Sequence, residues 1–478
     1  MALSILLLIS VLIPVFCGYC LISFIFTKNK LDIVLNLALS YGMGMGILTI
    51  WMFIIGISGL ELNFANTTFP LVCFSFIFLL IAKHSTPLSE NIQTPKDIVT
   101  TPKPSIMLIS FNSFLIIFIT VNILQIFWGA ISWPIDSWDA FATIAFKAKI
   151  FFYEKSIPSL KILPHPTYPL HTSLAETWTA INIGRWSDQY IKIIFPCTFL
   201  SFLIVQYKFL KNYTDTTWSL LGCVLLISSN LAFYHATISY RDLFLMYYNC
   251  ITIMMLILWS SSKKTSFLIT AAFFAGFASF TKLEGSSFIV IYIILFIMIS
   301  FFNKTSFKEN IKNTLALLIP SLTICLSFHI YKFFTNNLID GTADCDKTAL
   351  VLGLGQLLKL PKVIHAFYLN MFLSGNWNIV WMIACVSILL WDYKKKNREA
   401  FLVLVSIFLF IGLYSAIALF TSNYPWIAGD KKVTTLSRLI LHFYPLAPIL
   451  IILINHLNFS SDRLDTSSIN PKKQALNK

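Results

Sequence analysis

The chain has 478 residues, of which 57% are hydrophobic and 12% charged, whereas ordinary soluble domains carry about 25% charged residues. This excludes a soluble enzyme and describes a polytopic, all-α integral membrane protein whose first partner is the lipid bilayer. The formal net charge of +14 is not gathered on a long polar segment that could form an aqueous nucleic-acid-binding domain, so it reads as membrane topology and no nucleic-acid partner is expected.

Apolar segments long enough to cross a hydrocarbon core of about 30 Å as helices recur at 2–26, 33–58, 68–83, 105–131, 189–207, 217–236, 243–260, 265–281, 286–302, 314–334, 377–391, 400–420 and 438–456. They predict about thirteen transmembrane helices. The N-terminal "MALSILLLISVLIPVFCGYC" lacks the basic start of a secretory signal and is expected to stay as the first helix. The stretch "PLHTSLAETWTAINIG", 169–184, is too short and polar for a span and is expected to lie along the interface. Of the nine cysteines, Cys345 alone falls in a loop, so no disulfide framework is implied; Cys17 and Cys20 read as small packing residues in an apolar helix.

A Pro/Thr-rich loop at 84–104 separates an N-terminal three-helix membrane segment, 1–104, from a ten-helix body, 105–456, which a cytoplasmic tail, 457–478, follows. Lysine-rich loops such as "TKNKLD", "SSKKTS" and "DYKKKNRE" fall on one side if thirteen spans alternate, and that side is cytoplasmic. The outer side then receives the loop 132–172 after the fourth span, the turns "SYRD" and "TKLEG", and the segments 335–376 and 421–437. Acidic residues near membrane boundaries therefore gather on the outer face.

The loop 132–172 opens with "SWPIDSWDAFATIAFKAKIFF". Read as an interfacial helix from about 136, it sets Asp136 and Asp139 on one face, with Lys147 about 20° away around the axis. Aromatic residues at 138, 141, 146, 151 and 152 suit headgroup depth. Arg241 and Asp242 stand at the mouth of the span from 243, and Lys282 and Glu284 at a tight outer turn. Arg438, with His442, lies one turn into the last span. Any one of these could be a helix cap or a snorkelling cation. Several acid-and-base clusters at one face point to paired or functional use, because charge near a membrane is costly.

Carboxylates and cations at an outer leaflet suit transfer of a sugar from a lipid-linked phosphate to an acceptor: a carboxylate takes the acceptor's proton while Arg and Lys neutralise the departing phosphate. Neither a Walker pattern nor G-x-G-x-x-G occurs, and no nucleotide or other cofactor is called for. His165, His171 and Glu176 lack tight metal-ligand spacing, so no metal is expected. The acidic run "IDGTADCDK", with Asp340, Asp344 and Asp346, lacks the calcium-loop pattern and reads as a solvated loop.

Four stretches, "DSWDAFATIAFKAKIFF", "HPTYPLHTSLAETW", "SYRDLFLMYY" and "TKLEG", give the region 133–285 a resemblance to the bacterial GT-C superfamily of membrane glycosyltransferases, in the family 39 group of protein O-mannosyltransferases and lipid A aminoarabinose transferases. The resemblance implies a GT-C-like fold with interfacial helices in the outer loop, a polyprenyl-phosphate-linked sugar donor, and a protein, lipid or glycan acceptor. It further implies inversion at the anomeric carbon, a multi-pass chain in a bacterial inner membrane, and a site facing outside. Carried over by position, Asp139 becomes the catalytic base, with Asp136 supporting it or exchanging roles with it. Lys147, Arg241, Lys282 and Arg438 become donor-phosphate contacts, while Asp242, Glu284, His165 and Tyr168 shape the substrate pocket. Arg241, Leu283 and Ile144 depart from the residues expected at their places, which leaves the sugar open. Rival readings are a transporter or flippase of lipid-linked sugars, a non-catalytic membrane subunit, and a polymerase or ligase that uses a polyprenyl-diphosphate donor.

Overall fold

A computed structural model of the chain describes residues 2–28, 30–84, 105–335, 353–395, 397–429 and 435–467. The connector at 85–104, the acidic run holding Asp340, Asp344 and Asp346 with Cys345, and the end of the tail lie outside the described residues. Among the described residues the chain is all-helical, with no strand.

The helices are α1 (Ala2–Ile25), α2 (Ile33–Ile57), α3 (Phe64–His84), α4 (Ile106–Ser132), α5 (Ala145–Glu154), α6 (His171–Ile183), α7 (Ile194–Lys211), α8 (Thr216–Ile227), α9 (Asn230–His235) and α10 (Arg241–Ser262), followed by α11 (Thr265–Thr281), α12 (Leu283–Asn303), α13 (Phe307–Phe334), α14 (Leu360–Tyr368), α15 (Val380–Leu389), α16 (Arg398–Phe420), α17 (Tyr424–Ile427), α18 (Thr435–Leu441) and α19 (Leu446–Ser467). Side chains placed where the sequence turns apolar start several of them. Asp32 accepts from the amides of Val34 and Leu35, Ser105 from Leu108, Asp215 from Trp218 and Asn397 from Ala400.

Among the described residues nine helices are long and apolar enough to cross a membrane, and a tenth span forms if α18 and α19, bent by 48°, are counted as one. The other three expected spans are shorter helices. The apolar run 217–236 breaks at Ser228–Ser229, where Ser229 turns its hydroxyl to the carbonyl of Asn376 and caps α9. α15 keeps ten residues, about 15 Å of helix, and α11 seventeen, about 25 Å. At 217–236 the run of apolar letters therefore overstates the helix, which stops where Ser229 and Leu231 find a partner in the Asn376 carbonyl.

Packing explains which faces carry these letters. α10 is buried throughout its apolar stretch and lies against α7, α11, α12, α16 and α18. α3, α4 and α13 leave most of theirs exposed, as lipid-facing helices do. α1 and α2 approach so closely that a Cβ on Gly44 would lie 1.7 Å from the carbonyl oxygen of Pro14, which is why glycine stands there.

The segment 169–184, expected to lie along the interface, holds α6, nearly all of which is buried against α1, α2 and α5 rather than exposed along one face. Several of its polar groups find internal partners. Ser173 and Thr177 donate to the carbonyls of Ile144 and Ala148, the His171 Nε2 pairs with the Tyr248 hydroxyl at 2.8 Å, and the Trp178 indole donates to the carbonyl of Ser10.

Candidate functional site

The first residue of α10 follows the short turn after α9, and this places Asp242 at the start of the most buried helix. The Asp242 side chain has no exposure, so its charge needs partners. It has four hydrogen bonds from three residues. Lys282 Nζ donates to Oδ1 at 3.0 Å, His442 Nε2 to Oδ1 at 2.9 Å, and Arg438 to Oδ2 through Nε at 3.1 Å and Nη2 at 2.9 Å. The fork of donors on Arg438 makes the contact bidentate at a single carboxylate oxygen.

Arg438 also reaches outward, its Nη1 2.5 Å from Oδ2 of Asp139. Asp139 is 40% exposed where Asp242 is sealed, so one guanidinium joins a carboxylate at the mouth to a carboxylate in the core. The ring of Tyr240 lies beneath it, 4.7 Å from the guanidinium carbon. Asp139 precedes a π-helical turn, Ala140–Ile144, that leads into α5. Such turns often occur at functional positions.

Lys282 caps the junction of α11 and α12 and holds both Asp242 and, at 2.9 Å, Glu284. Burial works against its ammonium, but the two carboxylates more than offset it and hold the pKa above the usual lysine value. Gly285 makes the junction possible, because a Cβ there would lie 2.1 Å from the carbonyl oxygen of Ala278. His442 occupies the bend between α18 and α19. A carboxylate only accepts, so the neutral imidazole donates from Nε2 to Asp242 and accepts at Nδ1 from the Tyr414 hydroxyl at 2.6 Å. The His442 carbonyl in turn accepts from Asn249, whose Oδ1 accepts from Tyr292.

A second polar group adjoins the first. Arg241 is 7% exposed, stacks at 5.0 Å on the ring of Tyr168, and has Nε and Nη2 without hydrogen-bond partners among the described residues. Its charge is felt by Asp139, Asp242 and Glu176. Glu176, fully buried on α6, accepts from the Ser239 hydroxyl through one oxygen and leaves the other unpartnered among the described residues; burial raises its pKa to about 8.

The structure thus brings Asp139, Asp242, Lys282, Glu284 and Arg438 into one network, with Arg241 and Tyr168 beside it. Lys147 and His165 play a different visible part. The Lys147 side chain is fully buried and donates to the His165 carbonyl at 2.6 Å, tying α5 to the loop before α6, and His165 meets Tyr168 ring to ring at 5.4 Å. Asp136 is exposed and bonded to the Ser137 hydroxyl at 3.1 Å, outside the network. Reasoning from sequence gave no role to Tyr240, Tyr414 or Asn249. Tyr240 stood within the quoted "SYRDLFLMYY" stretch and Asn249 is a polar residue in an apolar span, whereas Tyr414 left no signal in the letters. Among the described residues no group of three or more His, Cys, Asp or Glu side chains converges as a metal site.

No protein-family profile, curated protein or solved structure matches this chain.

Proposed function

We propose that this protein is a membrane glycosyltransferase that moves a sugar from a polyprenyl-phosphate donor to an acceptor at the extracytoplasmic mouth of the helical bundle. One observation carries the reading: Arg438 couples the half-exposed Asp139 to the sealed Asp242–Lys282–His442 cluster. A reaction that needs a base beside a departing anion is served by a carboxylate at the mouth and by cations directly behind it.

In this reading Asp139 takes the proton of an acceptor hydroxyl or amine as that atom bonds to the anomeric carbon. The bond from that carbon to the phosphate oxygen breaks on the opposite face, which inverts the centre. The negative charge that appears on the lipid phosphate is met by Arg438 and Arg241, with Lys282 behind them. Asp242 does not touch substrate; it fixes Arg438, Lys282 and His442 in place. Among the described residues Nε and Nη2 of Arg241 are unengaged donors for a phosphate to accept from. The donor class rests on the four motifs within 133–285. The acceptor is a protein, lipid or glycan, and the chain sits in a bacterial inner membrane with this site outside.

A second reading is favoured by the broken span of α18 and α19, bent by 48°. At that break the Tyr444 hydroxyl donates to the Leu225 carbonyl of α8 at 2.9 Å. Broken helices are a feature of transporters, so movement of a lipid-linked sugar across the bilayer is the alternative. Transfer of labelled sugar from purified polyprenyl-phosphate donors in membranes separates the two. At matched expression Asp139→Asn should lose about 100-fold or more, the scale of a removed general base, and Asp136→Asn should keep most of the rate. Equal rates for Asp139→Asn and the parent would refute the base assignment. No transfer from any donor, with movement of the intact lipid-linked sugar, would select the alternative.

A further inference from the structure

At the opposite end of the bundle α12 and α13 are joined by a short turn, Lys304–Ser306, yet they barely touch: α13 packs on α11 while α12 packs on α11 and α10. Consecutive helices that diverge from a tight turn leave a wedge. Here the wedge is a cleft of about 520 Å³. Its apex carries the polar residues Ser300, Lys304, Thr305 and Asn310, while Ile297 and Phe301 line its apolar side. Farther along the two helices Val290, Leu315 and Ile319 also turn their side chains out of the bundle.

Among the described residues two features at the apex lack a protein partner. The Ser300 hydroxyl belongs to a residue only 7% exposed, lines the cleft, and has no hydrogen-bond partner. A buried hydroxyl left unpaired costs free energy unless a bound group satisfies it. The Lys304 ammonium is exposed and pairs with no carboxylate among the described residues; its backbone is left-handed, with φ 50°, because it ends α12. Lys308 and Lys312 follow within two turns, with Glu309 the one acid between them.

We infer that this wedge binds an anionic phospholipid of the cytoplasmic leaflet, with the phosphate at Lys304 and the Ser300 hydroxyl and an acyl chain between α12 and α13. The polarity runs the required way. The apex lies at the lysine-rich end of the bundle, so a headgroup there faces the cytoplasm and the chains point into the bilayer. The cation favours an anionic over a zwitterionic headgroup, whose own positive charge Lys304 repels. This site is remote from Asp139 and independent of the reaction proposed for it.

Native mass spectrometry of the full-length protein released from detergent, titrated with phosphatidylglycerol or phosphatidylcholine of matched chains, tests the inference. The parent should retain phosphatidylglycerol preferentially, and Lys304→Gln should weaken that retention about fivefold, the effect of one lysine beside an anionic headgroup. Thr314→Trp, which fills the cleft from its α13 wall, should reduce retention of both lipids. Glycerol phosphate in excess should not displace the bound lipid if the acyl chain occupies the wedge; displacement would assign the site to a free phosphate ester and overturn the lipid. Equal retention of the two lipids, or of phosphatidylglycerol by parent and Lys304→Gln, would also overturn it.

Discussion

Replacing Asp242 by Asn removes one charge from a carboxylate that receives four hydrogen bonds and has no exposure to water. Two cations, Lys282 and Arg438, are left facing an amide that can turn only one oxygen toward them. Removing one partner of a buried ion pair costs about 3–5 kcal/mol. Glu284 still holds Lys282 and Asp139 still holds Arg438, and Arg438 is 21% exposed, so the low end applies, about 3 kcal/mol. Thermal unfolding of detergent-purified protein, followed by tryptophan fluorescence, should show a midpoint lower by several degrees. Arg438→Gln should also destabilise. The double variant Asp242→Asn/Arg438→Gln should lose less than the sum of the two by about 1 kcal/mol or more, because the interaction is then removed once rather than twice. Strict additivity, or an Asp242→Asn midpoint equal to the parent's, would refute the account of Asp242 as the anchor of the network.

Glu176 gives a dependence on pH. Its pKa in the fold is about 8, above the ordinary 4.5, so the folded state binds its proton more tightly than the unfolded chain. The stability that Glu176 contributes is complete below about 4.5 and is lost as pH rises through about 8, with an upper bound of about 5 kcal/mol. Glu176→Gln stays neutral and should flatten unfolding midpoints across that window; an unchanged slope would remove Glu176 as its source. Gly44→Val drives a side chain into the Pro14 carbonyl and should cost about 1–3 kcal/mol by thermal unfolding, whereas Gly412→Val, where nothing lies within 4 Å, should stay within about 0.5 kcal/mol of the parent. The loss of transfer in Asp139→Asn and of phosphatidylglycerol retention in Lys304→Gln complete the set.

The helical, membrane-spanning character was legible because each span carries its own apolar letters. Span lengths were less so: whether 217–236 is one helix depends on Asn376, more than a hundred residues away, which accepts the Ser229 hydroxyl. The burial of α6 was hidden for a related reason. Its Thr, Ser and His look like an interfacial face until the carbonyls of Ile144 and Ala148 and the Tyr248 hydroxyl are seen beside them. At the site, the charges at turns between apolar runs were readable one by one, because charge at a membrane boundary is rare. Their pairing was not, since Arg438 and Asp139 are 299 positions apart. Lys147 shows the limit of residue type as a guide. A lysine beside a phosphate and a lysine tying down the His165 carbonyl are the same letter.

The asymmetry of the two aspartates bears on how the proposed reaction is timed. Asp242 holds Arg438 through Nε and Nη2, leaving Nη1 as the arm on Asp139. A lipid phosphate entering beside Arg241 would be a stronger acceptor for that arm than the half-exposed Asp139, while the contact with Asp242 could stay intact. Exchange of one hydrogen bond would then place the phosphate on the guanidinium and free Asp139 Oδ2 toward the acceptor. Donor binding would release the base, and without donor the base would remain engaged. A single arginine held from behind by a buried carboxylate suffices for this order of events, because the anchor lets one arm change partners without moving the other two.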